Sequence, residues 1–250
     1  MTTDGSKTGS PPAGDLVMRG HSLVDELMGV RPLSDVTYLH LAGRLPTAEQ
    51  AAVFDAMLVA LIDHGMTPSV LASKLTAFGA PNALQGAVAA GLLGVGDRLV
   101  GSIESAARLL GDLLRDAPAD ASLEDIAEAA VEEAAAEGRI LPGIGHRFYK
   151  SLDPRTERLF AIARENDLDG RCVDLVRMLS ESASRRHGRP LIVNVTGALG
   201  ALVNEVGLPW QAGRGLGLIS RTVGLVGRLL DPDGVPIAEV LAAAQTGPPR

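Results

Sequence analysis

No stretch of this chain alternates apolar and polar residues with period two over the length of a strand. Apolar residues recur instead at helical spacing, between residues suited to cap helices. Only 3% of the residues are aromatic while 46% are hydrophobic, so the core has to be built from Leu, Ala and Val. Ala and Leu are strong helix formers, whereas aromatic and β-branched residues favour strands. The pattern therefore predicts an all-α protein, with residues 191–195 as the best candidate for a short strand.

Residues 1–14, rich in Ser, Thr, Gly and Pro, read as a disordered tail. A short amphipathic helix is expected over 16–30 and another over 35–43, with Ser34 as its N-cap and Gly43 as its stop. Thr47 with Gln50 three residues on forms a capping-box pattern, opening a helix that runs to Gly65. Further helices are expected over 68–78, 83–93, 97–115, 122–137 (capped by Ser122), 154–165, 172–187, 191–206, 213–230 and 236–244. Gly213, Gly215 and Gly217 follow no strand, so they do not read as a dinucleotide fingerprint. In a helix, Gly217, Gly224 and Gly227 read as points of close helix–helix approach.

At 250 residues the chain is one large domain, or one domain with a smaller lobe. Its net charge of −7, without a basic cluster, speaks against a nucleic-acid partner. Cys172 is the single cysteine, so no intrachain disulfide forms, and it reads as a small buried hydrophobe; no metal site is expected. The longest apolar run, 83–95, is broken by Gln85 and glycines and is too short to span a bilayer. With no apolar leader at the start, a soluble cytoplasmic protein is expected.

The chemistry concentrates in Gly143-Ile144-Gly145-His146-Arg147-Phe148-Tyr149-Lys150-Ser151-Leu152-Asp153-Pro154-Arg155. A histidine that exchanges protons near neutral pH and a permanently charged arginine sit nine positions apart in a segment punctuated by Gly and Pro. That pairing suits a carboxylate-bearing substrate undergoing proton transfer. Arg221 lies in an otherwise apolar helix, and an unpaired buried guanidinium is costly. It either pairs with Asp or Glu, or faces a cleft and waits for an anion. His64, in Asp63-His64-Gly65, by itself reads as a helix C-terminal histidine, and Asn194 as a turn or cap residue.

Taken together these positions resemble the citrate synthase superfamily, and within it the citryl-CoA lyase branch that includes the C-terminal module of ATP-citrate lyase. The resemblance is carried in order by Arg19-Gly20-His21, Val36-Thr37-Tyr38-Leu39, Gly43-Arg44-Leu45-Pro46-Thr47, Asp63-His64-Gly65, Gly94-Val95-Gly96-Asp97-Arg98, the His146 segment with Asp153-Pro154-Arg155, Asn194-Val195-Thr196-Gly197 and Ser220-Arg221. It implies a two-lobed helical homodimer, with residues 15–105 plus 208–250 as the large lobe and 106–207 as the small one. It also implies an enzyme that makes or cleaves the carbon–carbon bond between acetyl-CoA and oxaloacetate or a related 2-oxo acid. By that resemblance His146 holds the oxygen of the acceptor ketone and, in cleavage, draws the proton from the tertiary alcohol. His64, Arg155 and Arg221 bind substrate carboxylates. The partners implied are a CoA thioester and a di- or tricarboxylate, with no tightly bound cofactor.

The chain also departs from the family. The catalytic Asp of the family falls on Thr196, whose hydroxyl is no base at neutral pH. The second catalytic His of the synthases falls near Leu99; the lyase branch lacks it too. The arginine that a partner subunit supplies in synthases has no counterpart in residues 231–236. If Thr196 replaces the base, the proton comes from water or another acid, with Asp97 and Glu104 as the nearest candidates in sequence. Three functions are therefore carried forward: a CoA-dependent lyase, a weakened paralogue acting as a sensor or partner subunit, and a Claisen-type synthase with an unusual acceptor.

Overall fold

The computed structural model describes residues 16–146, 149–231 and 237. The expected tail at 1–14, and all of the expected helix at 236–244 except Ile237, lie outside the described residues. The described part is helical, with α1 (Leu33–Ala42), α2 (Ala48–Val59), α3 (Pro68–Gly79), α4 (Leu84–Leu93), α5 (Gly101–Asp116), α6 (Leu123–Ala136), α7 (Pro154–Glu165), α8 (Arg171–His187), α9 (Val195–Glu205) and α10 (Ala212–Leu230). Several helix starts are capped as expected, but Ser34 is not an N-cap: α1 begins at Leu33, with Pro32 at its N-cap position and no side-chain cap. Thr47 and Gln50 close a reciprocal capping box on α2, and Thr67, Ser122, Asp153 and Asn194 each accept a backbone N–H of the helix that follows. Gly43 ends α1 at φ +75°, in the left-handed region.

The beginning of the described chain differs from expectation. Instead of a helix over 16–30, β1 (Val17–Met18) and β2 (His21–Ser22) form a two-residue antiparallel hairpin, followed by one π-helical turn over Leu23–Leu27. The Arg19-Gly20 pair takes positive φ at both positions, which turns the chain back. Leu27 is the one residue of the π turn to be buried, so no apolar face exists to dock a longer helix. The expected helix over 97–115 also begins with a π-helical turn, Gly96–Val100, before α5.

Small residues set the packing distances. A Cβ on Gly200 of α9 would lie 2.6 Å from Ala106 Cβ of α5, so these two helices meet backbone to backbone. A Cβ on Gly217 of α10 would lie 2.2 Å from Val100 Cγ1, and one on Gly224 would lie 1.8 Å from the Ile62 carbonyl oxygen. Gly217 and Gly224 are thus points of close approach as expected, while a Cβ on Gly227 would meet nothing within 4 Å. Around these seams runs a continuous Leu, Ala and Val core, including Leu110, Leu175, Leu179, Leu199, Leu202 and Leu216. Fully burying each such side chain contributes about 1.5–3 kcal/mol. Tyr38 is buried edge-on against Phe54 and donates its hydroxyl proton to the Val206 carbonyl, tying α1 to the end of α9.

Candidate active site

The site is assembled where the His146 segment is sewn to the start of α9. Ile144 and Val193 form an isolated antiparallel bridge, so Val193, within the predicted strand, does pair, though as a single bridge. Gly145 N–H donates to the Ile192 carbonyl at 2.7 Å, and Asn194 N–H donates to the Gly143 carbonyl at 3.0 Å. Asn194 then acts twice: its Oδ1 caps α9 by accepting from the N–H groups of Thr196 and Gly197, and its Nδ2 donates to the Gly145 carbonyl. Gly143, at φ +86°, lies so close to Gly197 that a Cβ on it would be 2.4 Å from Gly197 Cα. Glycine at both positions lets the loop carrying His146 lie directly on the first turn of α9.

Asp153 joins this loop to α7. It is 1% exposed, and its carboxylate accepts from Arg155 N–H, Arg155 Nε (3.1 Å), Arg155 Nη2 (2.8 Å) and Val195 N–H. Burial pushes its pKa up, but the hydrogen bonds and charge of Arg155 prevail and hold the carboxyl below its ordinary value. With its Nε–Nη2 edge closed on Asp153, Arg155 directs Nη1 to His64 Nδ1 at 2.8 Å. Because a guanidinium only donates, His64 Nδ1 is the acceptor and the ring proton sits on Nε2. Burial, followed by the charges of Arg155, Arg221 and His146, lowers the pKa of His64, which keeps the ring neutral at pH 7. His146 is tied by its other nitrogen: Tyr149 N–H donates to its Nδ1 at 3.0 Å, and its Nε2 lies 4.0 Å from Asp153 Oδ2. This too places the ring proton on Nε2.

These groups border a cavity of about 370 Å³ whose lining includes His64, Arg155, Asn194, Thr196 and Arg221. Four of the five residues singled out from sequence thus face one space. His146 is 15% exposed; it follows the lining residues Gly143 and Ile144 and acts on His64 electrostatically, but its side chain is not part of the lining. Arg221 is 8% exposed and has no hydrogen-bond or ion-pair partner among the described residues. Burial lowers its pKa, and it stays charged. Of the two alternatives for this residue, the structure realises the cleft-facing guanidinium.

The proposed acids do not reach the cavity. Asp97 and Glu104 both bind Arg214, at 2.9 Å for Asp97, and neither is part of the lining. Among the described lining residues there is no Asp or Glu. Asp153 was visible in sequence only as the first residue of Asp-Pro-Arg, a helix N-cap followed by Pro. That signal marks a cap, and the second use of the carboxylate, clamping Arg155 and α9, depends on contacts 42 positions apart. A larger cavity of about 870 Å³ lies between α5 and α6. It holds no histidine, and its arginines are already paired, Arg108 with Asp112 and Arg139 with Glu133, so the convergent chemistry belongs to the smaller one.

Residues 36–232 match the family model for the C-terminal domain of citrate synthase. A citrate synthase of Deinococcus radiodurans is 32% identical over 135 residues, which cover 52% of this chain and 34% of that protein. The chain thus spans about a third of the length of this curated relative. Among solved structures, citryl-CoA lyase from Hydrogenobacter thermophilus superposes with a TM-score of 0.80 at 36% identity, covering 93% of this chain and 91% of that one. ATP citrate lyase from Methanothrix soehngenii, solved with citrate and coenzyme A, gives a TM-score of 0.73 at 21% identity, covering 100% of this chain and 42% of that one.

Proposed function

This chain belongs to the citrate synthase family, and we propose that it is a CoA-dependent carbon–carbon lyase, cleaving citryl-CoA or a related 3-carboxy-3-hydroxyacyl thioester into acetyl-CoA and a 2-oxo acid. The observation that carries this reading is the convergence of Arg155, His64 and Arg221 on one cavity beside the capped start of α9. Guanidinium and imidazole donors fixed by the fold match an organic anion without reorganising when it arrives. His64 and Arg155 bind one carboxylate region as a unit, held rigid by Asp153, and Arg221 supplies a further positive charge from α10. His146 lies just outside the described lining, and the Nε2–H tautomer suits it to donate a hydrogen bond to the oxygen that changes from alcohol to ketone when a substrate reaches it. That form favours donation from Nε2 over proton uptake there. With no carboxylate in the described lining, the proton that converts the thioester enolate to acetyl-CoA comes from water.

The same feature argues against a Claisen-type synthase, which has to pull a weakly acidic proton from the acetyl carbon. Thr196 favours a second reading, in which the chain is a weakened paralogue that binds a di- or tricarboxylate and CoA as a sensor or partner subunit. We further propose a homodimer with lobes at 15–105 plus 208–250 and at 106–207, working in the cytoplasm; among the described residues no helix is long and apolar enough to cross a membrane. Incubating the purified protein with citryl-CoA and related thioesters and assaying acetyl-CoA tests the lyase reading. Release of acetyl-CoA supports it. Calorimetric binding of citrate with no turnover of any of these thioesters replaces it with the paralogue.

A further inference from the structure

The turn that carries His64 is held from outside the cavity. Asp63, His64, Gly65 and Met66 are exposed and belong to no helix, so burial in a core does not set where the His64 ring stands. Asp63 folds the turn. Its Oδ1 accepts the N–H groups of His64 at 2.7 Å and of Gly65 at 3.2 Å, and Gly65 takes φ +70°. The same carboxylate is gripped by Arg228 of α10, with Nε donating to Oδ1 at 2.9 Å and Nη2 to Oδ2 at 2.8 Å. A two-point fork of this kind fixes direction as well as distance. Burial raises the pKa of Asp63, but the hydrogen bonds and charge of Arg228 and the two N–H groups prevail and hold it below its ordinary value.

Arg228 belongs to a stripe. Gly217, Arg221, Gly224 and Arg228 follow one another at intervals of four, three and four residues, which puts them on one face of α10. Along that face Gly217 meets Val100, Arg221 lines the cavity, Gly224 leaves room for the Ile62 carbonyl and Arg228 takes Asp63. The chain on the N-terminal side of His64 is therefore pinned at two points, Ile62 and Asp63, to the helix that presents Arg221. Arg221 and Arg228 lie two turns apart, about 10 Å along the axis. An ion pair as exposed as this one, with 56% of the Asp63 side chain and 29% of the Arg228 side chain open to solvent, adds little to stability. Its contribution is geometric.

We infer that Asp63 and Arg228 are positioning residues, whose ion pair holds His64 beside Arg155 and at a set distance from Arg221, so that the three groups meet the acid half of the substrate together. Neither Asp63 nor Arg228 is part of the cavity lining, so both act through His64. This rests on the lyase reading above and extends its machinery beyond the groups that touch substrate.

Two measurements on the purified full chain test it, with Arg228→Gln removing both the fork and the charge. The first needs no substrate: proton–nitrogen NMR spectra of histidine-labelled protein at pH 7, with the His64 signals identified by their loss in His64→Gln. The wild type is expected to show His64 in the Nε2–H form alone, and Arg228→Gln to lose that single form to a mixture of tautomers. The second is the kinetics of citryl-CoA cleavage, in which Arg228→Gln should raise KM about tenfold while kcat changes less than about threefold. Asp63→Asn keeps an acceptor for the two N–H groups but weakens the fork, and should follow in both measurements to a smaller extent. A His64 spectrum that Arg228→Gln leaves unchanged, or an unchanged KM, overturns the inference. If Arg228→Gln does not fold, Asp63→Asn decides by the same two criteria. Failure of the wild type to cleave citryl-CoA counts against the lyase reading alone, and the NMR comparison then decides whether the ion pair positions His64.

Discussion

Asp153 gathers four donors with its side chain removed from solvent, and it ties Arg155 to the start of α9. Asp153→Asn leaves the Arg155 guanidinium facing a neutral amide and should cost about 3 kcal/mol of stability, read as a lower melting temperature at pH 7. The pH dependence has a definite sign. The folded-state pKa of Asp153 lies below the ordinary value of 3.8, so its stabilisation is fully present above that value. It fades as pH falls from about 3.8 through the folded pKa. The gap in melting temperature between wild type and Asp153→Asn should therefore shrink below pH 4, and a gap that widens there rules the clamp out. His146→Ala removes the Nε2–H donor and should lower kcat at least about a hundredfold with an unchanged circular dichroism melt; an unchanged kcat removes His146 from the mechanism. Thr196→Asp puts a carboxylate into the cavity in the first turn of α9, where the exposed N–H groups of a helix favour negative charge. It should raise deuterium exchange into acetyl-CoA, measured by proton NMR in D2O, by about tenfold or more. No increase means that carbon protonation follows another route. Arg155 and Arg221 stood out in sequence as charges against a Gly-punctuated or apolar background, whereas His64 and Thr196 were singled out only through the resemblance to the citrate synthase superfamily. Asp153 did not stand out, since a capping aspartate looks the same in sequence whether or not it also holds a second helix. The tautomers of His64 and His146 were equally invisible, because the donors that set them are a side chain 91 positions away and a backbone N–H.

At the scale of elements, most helices were legible through their ends. Thr47 with Gln50, Ser122, Pro154 and Gly43 act locally, within three or four residues, and a local signal survives in sequence. The hairpin over Val17–Ser22 was missed because two-residue strands are too short to show alternation. The start of α8 shows a cap no local pattern encodes. Gly170, at its N-cap position, has no side chain to offer, and Glu205 at the end of α9 reaches across to accept from the N–H groups of Cys172 and Val173. A Cβ on Gly170 would lie 2.5 Å from Glu205 Oε2, so glycine there makes room for the carboxylate. Burial raises the pKa of Glu205 even though the two N–H groups oppose the shift. The two effects separate by substitution. Glu205→Ala leaves two N–H groups without an acceptor and should cost about 1–2 kcal/mol. Glu205→Gln keeps an oxygen acceptor, loses the desolvated charge and should cost less than half as much. Chemical denaturation at pH 7 gives both numbers, and equal losses would mean that charge, rather than the hydrogen bond, holds α8.

Across the whole molecule, several of the exposed apolar residues fall on three helices that pack together. Phe78 on α3 is 70% exposed and Leu93 at the end of α4 is 87% exposed; Val223 and Leu230 on α10 are also exposed. These helices belong to one layer, since α3 packs on α4 and α10 lies against both. On the outer side of such a layer, large side chains would normally be polar. A second copy bringing the same face to this one would bury them by an isologous contact, the common arrangement of soluble homo-oligomers. The chain mass is 25.9 kDa, so light scattering behind a sizing column should give about twice that value. Phe78→Asp places a charge where the contact would be desolvated, and should bring the mass down to that of one chain while the helical circular dichroism stays as it was. Because Phe78 is not part of the cavity lining, any loss of lyase activity in that variant would follow from dissociation. Titrating activity against protein concentration then separates the two forms. A wild-type mass of 25.9 kDa at micromolar concentration would instead leave this apolar layer to a different protein.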